Sequence, residues 1–367
     1  MIYLDNAATT PICDAAKQAI IKHLDDFGNP SSSYEFGRKS RLLIEDARER
    51  IARCINAEPD EIYFTSGGSE SNTWALHNLH TLCSSIEHHS AYHKRHDIDV
   101  NTNGIVNIDN LDYAINAYGV TRIPDIAVCM LVNNELGTIQ PIEQMLPVLR
   151  DNSIPLHVDA VQAAGHIPVD VKKLGCRSLS MSGHKFGAPK GIGALYVNNE
   201  HKFWIDKLIE GGKQESGMRG GTENVLGIVA MAAALEDAIE HMEERNKHIK
   251  YLRDTLLDRL LQIPGSYLNG SLEHRVASNI NIRFEGVSGA RLVTLCDLYG
   301  ICISSGSACN EGVATPSHVL KAIGLSDEEA LSSIRITLGH QNTEKDIDYT
   351  SEIITNLVER IRNEKED

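Results

Sequence analysis

Apolar positions recur at helical spacing over Asp14–Asp25, Gly37–Asn56, Ser71–Thr81 and Gln144–Arg150. They do so again over Glu223–Glu243, His248–Gln262, Gly289–Tyr299 and Lys345–Arg362. Between these segments lie short runs of β-branched and apolar residues at Ile62–Thr65, Ile126–Val132, Pro155–Val158, Ser178–Met181, Gly193–Val197, Ser278–Phe284 and Ser333–Leu338. Such runs predict strands. From Asp60 to about Glu210 the two kinds of segment alternate, the signature of a mostly parallel sheet covered by helices. After the long helical stretch that follows, strands and helices mix in a shorter block, which reads as a smaller α+β domain. The charged stretch Glu244–Lys247 is either a boundary between the two or a solvated part of one long helix.

Composition narrows the picture. The chain has 367 residues, enough for two domains and a large core. Its formal charge is −15 and it has no basic runs, which argues against nucleic acid or an anionic membrane as partner. No apolar stretch approaches a membrane span, and Met1-Ile2-Tyr3-Leu4-Asp5 lacks the basic and apolar regions of a signal peptide. Eight cysteines without a CxxC pair fit a reducing compartment. The expectation is a cytoplasmic protein.

Most of these cysteines, Cys54, Cys83, Cys129 and Cys296 among them, sit in helical or apolar surroundings and read as core packing. Cys309 does not. It lies in Ser304-Ser305-Gly306-Ser307-Ala308-Cys309-Asn310, small residues that predict a hydrated loop. A thiol there can ionise and attack, or be a surface thiol with no role.

Ser182-Gly183-His184-Lys185 ends a predicted strand and precedes a Gly- and Pro-rich loop. In open α/β sheets, ligands bind beyond the carboxyl ends of the strands. Lys185 therefore suits a cofactor held through an imine, with Ser182 and His184 as phosphate donors; an ordinary solvated lysine fits the segment equally well. Thr65-Ser66-Gly67-Gly68-Ser69-Glu70 follows a strand and opens a helix, so its amides could bind an anion, or Ser69 could simply cap the helix. Asp159 ends the strand of His157-Val158-Asp159, where it could pair with a pyridine nitrogen or serve as a helix cap. His88 could stack on a ring. Its neighbours His89, His93 and His96 complete no recognised metal-ligand spacing, so no metal is expected. Arg335, on an apolar strand, reads on its own as a structural ion pair.

The order of these motifs resembles the cysteine desulfurases of the NifS/IscS type, within the class V aminotransferases. The likeness runs from Tyr3-Leu4-Asp5-Asn6-Ala7-Ala8-Thr9-Thr10 to Ser333-Ile334-Arg335-Ile336-Thr337-Leu338-Gly339. It includes Gly28-Asn29-Pro30-Ser31-Ser32, Val132-Asn133-Asn134-Glu135-Leu136-Gly137 and the segments just described. The resemblance implies the fold type I of pyridoxal phosphate (PLP) dependent transferases. That means a large α/β domain over residues 15–246 with a mostly parallel seven-stranded sheet, and a small domain from residues 1–14 and 247–367 carrying the cysteine loop. It implies that Lys185 holds PLP, Asp159 pairs with the ring nitrogen, Gln162 bonds the ring hydroxyl oxygen and His88 stacks on the ring and acts as acid or base. Gly68, Ser69, Ser182 and His184 would hold the phosphate, and Thr222 would reach the phosphate of a partner subunit in a homodimer. Asn134 and Arg335 would grip L-cysteine, with Arg335 forked onto its carboxylate. Cys309 would take the sulfur as a persulfide and pass it to an acceptor protein for iron–sulfur, thio-cofactor or tRNA biosynthesis.

The cysteine segment is similar to that of group I members, which carry the thiol on a long mobile loop. The chain departs from the family at Tyr34, where His is usual, and at Ser216, where Arg is usual; the stretch His88–Asn103 is short, and a long tail after Arg362 is missing. These departures bear on the acceptor and its docking surface. A selenocysteine lyase or another PLP enzyme of the class is the alternative. A non-catalytic interaction protein is disfavoured by Lys185, Asp159, His88, Arg335 and Cys309 together. A Cys–His hydrolase lacks a local base beside Cys309.

Overall fold

The computed structural model describes residues 1–92, 97–119, 123–305, 308–310 and 313–364, with the backbone alone at 118–119, 308–310 and 313–314. Its main sheet has seven strands in the order Ile62–Thr65, Gly193–Val197, Ser178–Ser182, Leu156–Asp159, Ile126–Met130, Thr81–Ser84 and Asp97–Ile98. Gly193–Val197 runs antiparallel to both its neighbours, and the other pairings are parallel. The expected mostly parallel seven-stranded α/β sheet is therefore present. Ile126–Met130, Leu156–Asp159 and Ser178–Ser182 are buried along their whole length, as parallel strands covered on both faces must be.

Helices cover this sheet because their apolar residues fall on one side. In Glu35–Cys54 the buried stripe is Ile44, Ala47 and Ile51, and it packs against Val225–Glu240, a helix apolar almost all round. A second, separate apolar core gathers Leu252, Leu256 and Leu260 of Met242–Leu260 with Ile347, Ile354, Leu357 and Ile361 of Glu344–Asn363. It backs an antiparallel sheet ordered Ser304–Ser305, Ser333–Thr337, Asn279–Phe284, Ser266–Leu268. The strand Ile2–Tyr3 pairs in parallel with Ile301–Cys302, and Leu4 is fully buried in this second core. Among the described residues, no helix is long and apolar enough to cross a membrane.

Four sequence expectations change. The helix opened by the glycine turn ends at Ala75, not Thr81, and Thr81–Ser84 is a buried strand. Asn78 between them takes a left-handed φ of 59°, which breaks the helix and lets the chain turn into the sheet. Leu111–Gly119 is a helix whose weak pattern gave no signal. The long helical stretch breaks at His241, so Glu244–Lys247 is a solvated stretch inside the second helix. Finally, Ala308–Asn310 and Val313–Thr315 pair as a short antiparallel ladder, with Cys309 opposite Ala314, where a plain loop was expected.

One buried ion pair ties the outer helix to the sheet edge. Arg48 donates from Nη1 and Nη2 to the Glu215 carboxylate at 2.8 and 2.9 Å, and the amide of Phe64 donates to the same group at 2.9 Å. Glu215 holds this position with φ of 46°, and the exposed Ser216 after it also has positive φ. Glu215→Ala would leave the buried Arg48 guanidinium with only Ile62 O and the exposed Glu45 carboxylate, and the Phe64 amide without an acceptor. We expect it to lower unfolding stability by about 3–5 kcal/mol. A urea midpoint equal to wild type would refute that assignment.

Candidate active site

The carboxyl ends of the central strands open into a cleft of about 510 Å³. Gly68, Ser69, His88, Asn134, Asp159, Gln162, Ser182, His184, Lys185 and Arg335 all line it. These are residues from distant motifs, and the sheet order explains their meeting. The strands ending in Asp159 and Ser182 are hydrogen-bonded neighbours, with Asp159 opposite Ser180. The chain leaves Ser182 in a single 3-10 turn, Gly183–Lys185, that delivers the lysine above the sheet edge.

Asp159 is 3% exposed. One carboxylate oxygen accepts from Asn72 Nδ2 at 2.7 Å and the other from the Val161 amide at 2.9 Å, which fixes the plane of the group. Asn72 is in turn oriented by His157, whose Nε2 lies 3.0 Å from Asn72 Oδ1. Since Asn72 presents its amide nitrogen to Asp159, its oxygen must accept, so His157 carries its proton on Nε2 and accepts from Ser178 on Nδ1. Complete burial pushes His157 down to about 3, so the imidazole is neutral. The same Asn72 amide donates to Ser90 Oγ at 2.9 Å, and that hydroxyl lies 2.8 Å from His88 Nδ1. The Ser90 amide also donates to His88 Nδ1, which leaves Nε2 to carry the proton of the neutral ring. Desolvation, opposed by Asp159 and assisted by the charge of Lys185, holds His88 below its usual range.

The glycine turn lies against Ser182. A Cβ on Gly68 would meet Val161 Cγ2 at 2.6 Å, so only glycine lets the start of Gly68–Ala75 come this close to the strand ends. The first-turn amides of a helix have no acceptor within it, and Gly68 and Ser69 of this first turn line the cleft with Ser182. His184 is pushed down to about 4 by burial and by Lys185 and Lys190, and its Nδ1 sits 3.1 Å from Thr9 Oγ1.

Lys185 Nζ donates to the carbonyls of Ala7 and Ala8 at 2.5 and 2.9 Å. Its main-chain oxygen accepts from His166 Nε2 at 2.9 Å. Burial, and then the charge of Arg335, lower Lys185 from 10.5 to about 8, with Asp5 and Asp159 acting in the opposite sense. That brings a substantial unprotonated fraction, the nucleophilic form, close to neutral pH. Arg335 reaches across from the second sheet, with Nη1 donating to Asn134 O at 3.0 Å and Nη2 to Asp5 Oδ1 at 2.7 Å. Asn134 is presented by a tight turn that Asn133 closes, accepting from the Glu135 and Leu136 amides.

The residues fit pyridoxal phosphate. A buried, doubly hydrogen-bonded carboxylate suits the ring nitrogen, a glycine-spaced helix start with Ser69 and Ser182 suits a phosphate, and an amine of lowered proton affinity stands between them. Thr222 is not on the cleft; it is exposed in an adjoining recess shared with Ser66 and Gly191. The side chain of Cys309 lies outside the described residues, as do His93 and His96. Tyr34 and Ser216 are exposed and away from the cleft lining. Sequence reasoning missed Asn72, Ser90, His157, His166 and Asp5. Asn72 alone left a trace, sitting one helical turn beyond Gly68 and Ser69.

Comparison with known proteins agrees with this geometry. Residues 2–350 match the Aminotransferase class-V family. A curated relative from Methanosarcina thermophila named Cysteine desulfurase IscS is 42% identical, over 99% of this chain and 93% of its own length. The X-ray structure of a NifS-like protein from Rickettsia africae superposes with a TM-score of 0.89 at 33% identity, covering 98% of this chain and 99% of that one. A structure of SspA in complex with cysteine superposes with a TM-score of 0.79 at 32% identity, covering 94% and 100%. The chain belongs to the class V aminotransferase family, in its NifS/IscS branch of cysteine desulfurases.

Two outcomes are expected from this site. In protein stripped of cofactor, the amine of Lys185 should react with small aldehydes at a rate that climbs through about pH 8; a midpoint near 10 would refute the lowered proton affinity. Asn72→Ala removes a hydrogen bond to a charged group, worth about 1.5–3 kcal/mol. Pyridoxal phosphate affinity, measured by dialysis equilibrium, should fall by about tenfold or more.

Proposed function

We propose that the cleft binds L-cysteine through Arg335 and Asn134, and that Cys309 takes the substrate's sulfur as a persulfide. The protein is a cysteine desulfurase dependent on pyridoxal phosphate. The observation that carries the residue assignment is the convergence of Lys185, Asp159, His88 and Arg335 on one cleft.

Lys185 would hold the cofactor, Asp159 its ring nitrogen, His88 its face, Gln162 its hydroxyl oxygen, and Gly68, Ser69, Ser182 and His184 its phosphate. Once bound, the cofactor supplies an electron sink for charge developing at the substrate's α-carbon. Unprotonated Lys185 Nζ would accept the proton from the substrate's α-carbon. Its lowered proton affinity suits it to that task. His88 Nε2 is the proton-bearing atom facing the cleft. The Cys309 thiolate attacks the substrate's sulfur. The new S–S bond forms as the Cβ–S bond breaks, the electron pair stays with Cβ and is protonated, and L-cysteine plus the thiol become L-alanine plus the persulfide. No external oxidant or reductant is needed.

The same reading assigns the chain to a homodimer, because Thr222 sits off the cleft and exposed, where it could serve a partner's phosphate. It also includes a cytoplasmic location, the division at about residue 246 with residues 1–14 joined to the second core, and transfer of the persulfide sulfur to an acceptor for iron–sulfur, thio-cofactor or tRNA synthesis.

The holoenzyme should absorb in the visible, and Lys185→Ala should lose that band. Cys309→Ala should keep the cofactor and release no sulfide from cysteine. Undiminished sulfide release by Cys309→Ala would dismiss this cysteine as the nucleophile.

A further inference from the structure

The first ten residues form a strap between the two sheets. On one side, Asn6 Nδ2 donates to Thr337 O, the Ala7 amide donates to Thr337 Oγ1, and Leu4 is buried in the second core. On the other, Ala7 O accepts from Gln162 and Lys185, and Thr10 Oγ1 donates to His184 O. Asp5 stands in the middle and aims its carboxylate at Arg335 Nη2, 2.7 Å away. We propose that Asp5 is an affinity-setting residue for the substrate's α-carboxylate, sharing Arg335 with it and so weakening its grip. The proposal rests on Arg335 being the carboxylate anchor.

Three observations support a shared cation rather than a displaced one. First, Asp5 cannot move aside easily. Its carbonyl accepts from Tyr3 Oη at 2.9 Å and from the Ala8 amide at 3.0 Å, and its backbone is bridged to Thr337. Second, Arg335 retains donors. Each terminal nitrogen of a guanidinium carries two hydrogens, and the contacts to Asn134 O and Asp5 use one on each. Third, Arg335 is only 9% exposed, so solvent screens the pair weakly. An incoming carboxylate therefore meets a cation already half neutralised, with a fixed anion beside it. Two carboxylates on one guanidinium repel by an amount that outweighs the loss of one positioning contact, since Asn134 O still orients the group. The physical use is turnover: L-alanine bears the same carboxylate as L-cysteine, and a tighter anchor would hold the product.

The same charge reaches Lys185. Asp5 opposes the effect of Arg335 on the lysine's proton affinity. Asp5 thus acts on Arg335 and Lys185 from one position.

The test is spectral titration of the holoenzyme with L-alanine and with ethylamine, ligands that differ by the carboxylate and undergo no desulfuration. The ratio of their dissociation constants isolates the anchor. Asp5→Asn keeps an acceptor for Nη2 and removes the charge. It should shift the ratio about tenfold in favour of L-alanine, and Asp5→Ala should move it the same way. In cofactor-free protein, Asp5→Asn should also lower the pH midpoint of Lys185 reactivity, which a merely structural residue would not do. A ratio that is unchanged or shifted toward ethylamine overturns the proposal. Arg335→Gln separates the two claims. If it leaves the ratio at the wild-type value, the anchor reading fails and the proposal with it. If it collapses the ratio while Asp5→Asn leaves it intact, only the role of Asp5 fails.

Discussion

The parallel pairing of Leu156–Asp159 with Ser178–Ser182 is the constraint on which the site depends. It is a ladder between two wholly buried strands: Leu156, Val158, Leu179 and Met181 pack one face, and His157, Asp159, Ser178 and Ser180 share the other. A slip by one residue would turn Asp159 away from the cleft and reverse the facing of every neighbour. Because the strands are neighbours, the acid at the end of one and the lysine just past the end of the other share a single opening. The chemistry of the cleft is thus set by the packing of Val158, Leu179 and Met181, all fully buried, as much as by the residues that face it.

Around that ladder the polar groups are arranged in series. His157 orients Asn72, Asn72 orients Asp159 and Ser90, and Ser90 orients His88. The links from His157 through Asn72 to Asp159 and Ser90 are buried or half-buried, so each unmade bond there would be costly. The arrangement places two groups with different tasks, a carboxylate and an imidazole, under the control of one amide. Glu87, which precedes His88, is held differently: burial raises its carboxyl to about 8, despite bonds from Ser84 and the Met130 amide. Its carboxyl is thus held mostly protonated near neutral pH, and little competing charge stands next to His88.

Much of this was legible in the sequence because it is local. Lys185, Asp159, the Gly67-Gly68-Ser69 turn and the strand–helix alternation each occupy a few consecutive residues, and their order along the chain is diagnostic of the family. What was not legible is what long-range contact decides. His157 and Asn72 are far apart in sequence, and nothing in either segment marks the bond between them. Arg48 and Glu215 look like surface charges until the helix Glu35–Cys54 meets the sheet edge. The Thr81–Ser84 strand was hidden because helical spacing in the preceding residues runs into it, and the break depends on the backbone of Asn78. The charged Glu244–Lys247 read equally as a boundary or a solvated stretch of helix; the break between helices falls at His241, which caps back onto Asp237. Charge marks solvent, and here the solvent lies along the helix rather than at its end.

The strap has a consequence for the order in which the enzyme comes into being. The bond between Asp5 and Arg335 joins residues 330 positions apart. Synthesis proceeds from the amino end, so Asp5 is made long before the partner it pairs with. The main sheet, with Asp159 and Lys185, can be complete while the strand Ser333–Thr337 is still unmade. A nascent chain at that stage would have the cleft without Arg335 and without support for the strap. The two sides of the cleft thus come into being at different moments in the life of a single molecule.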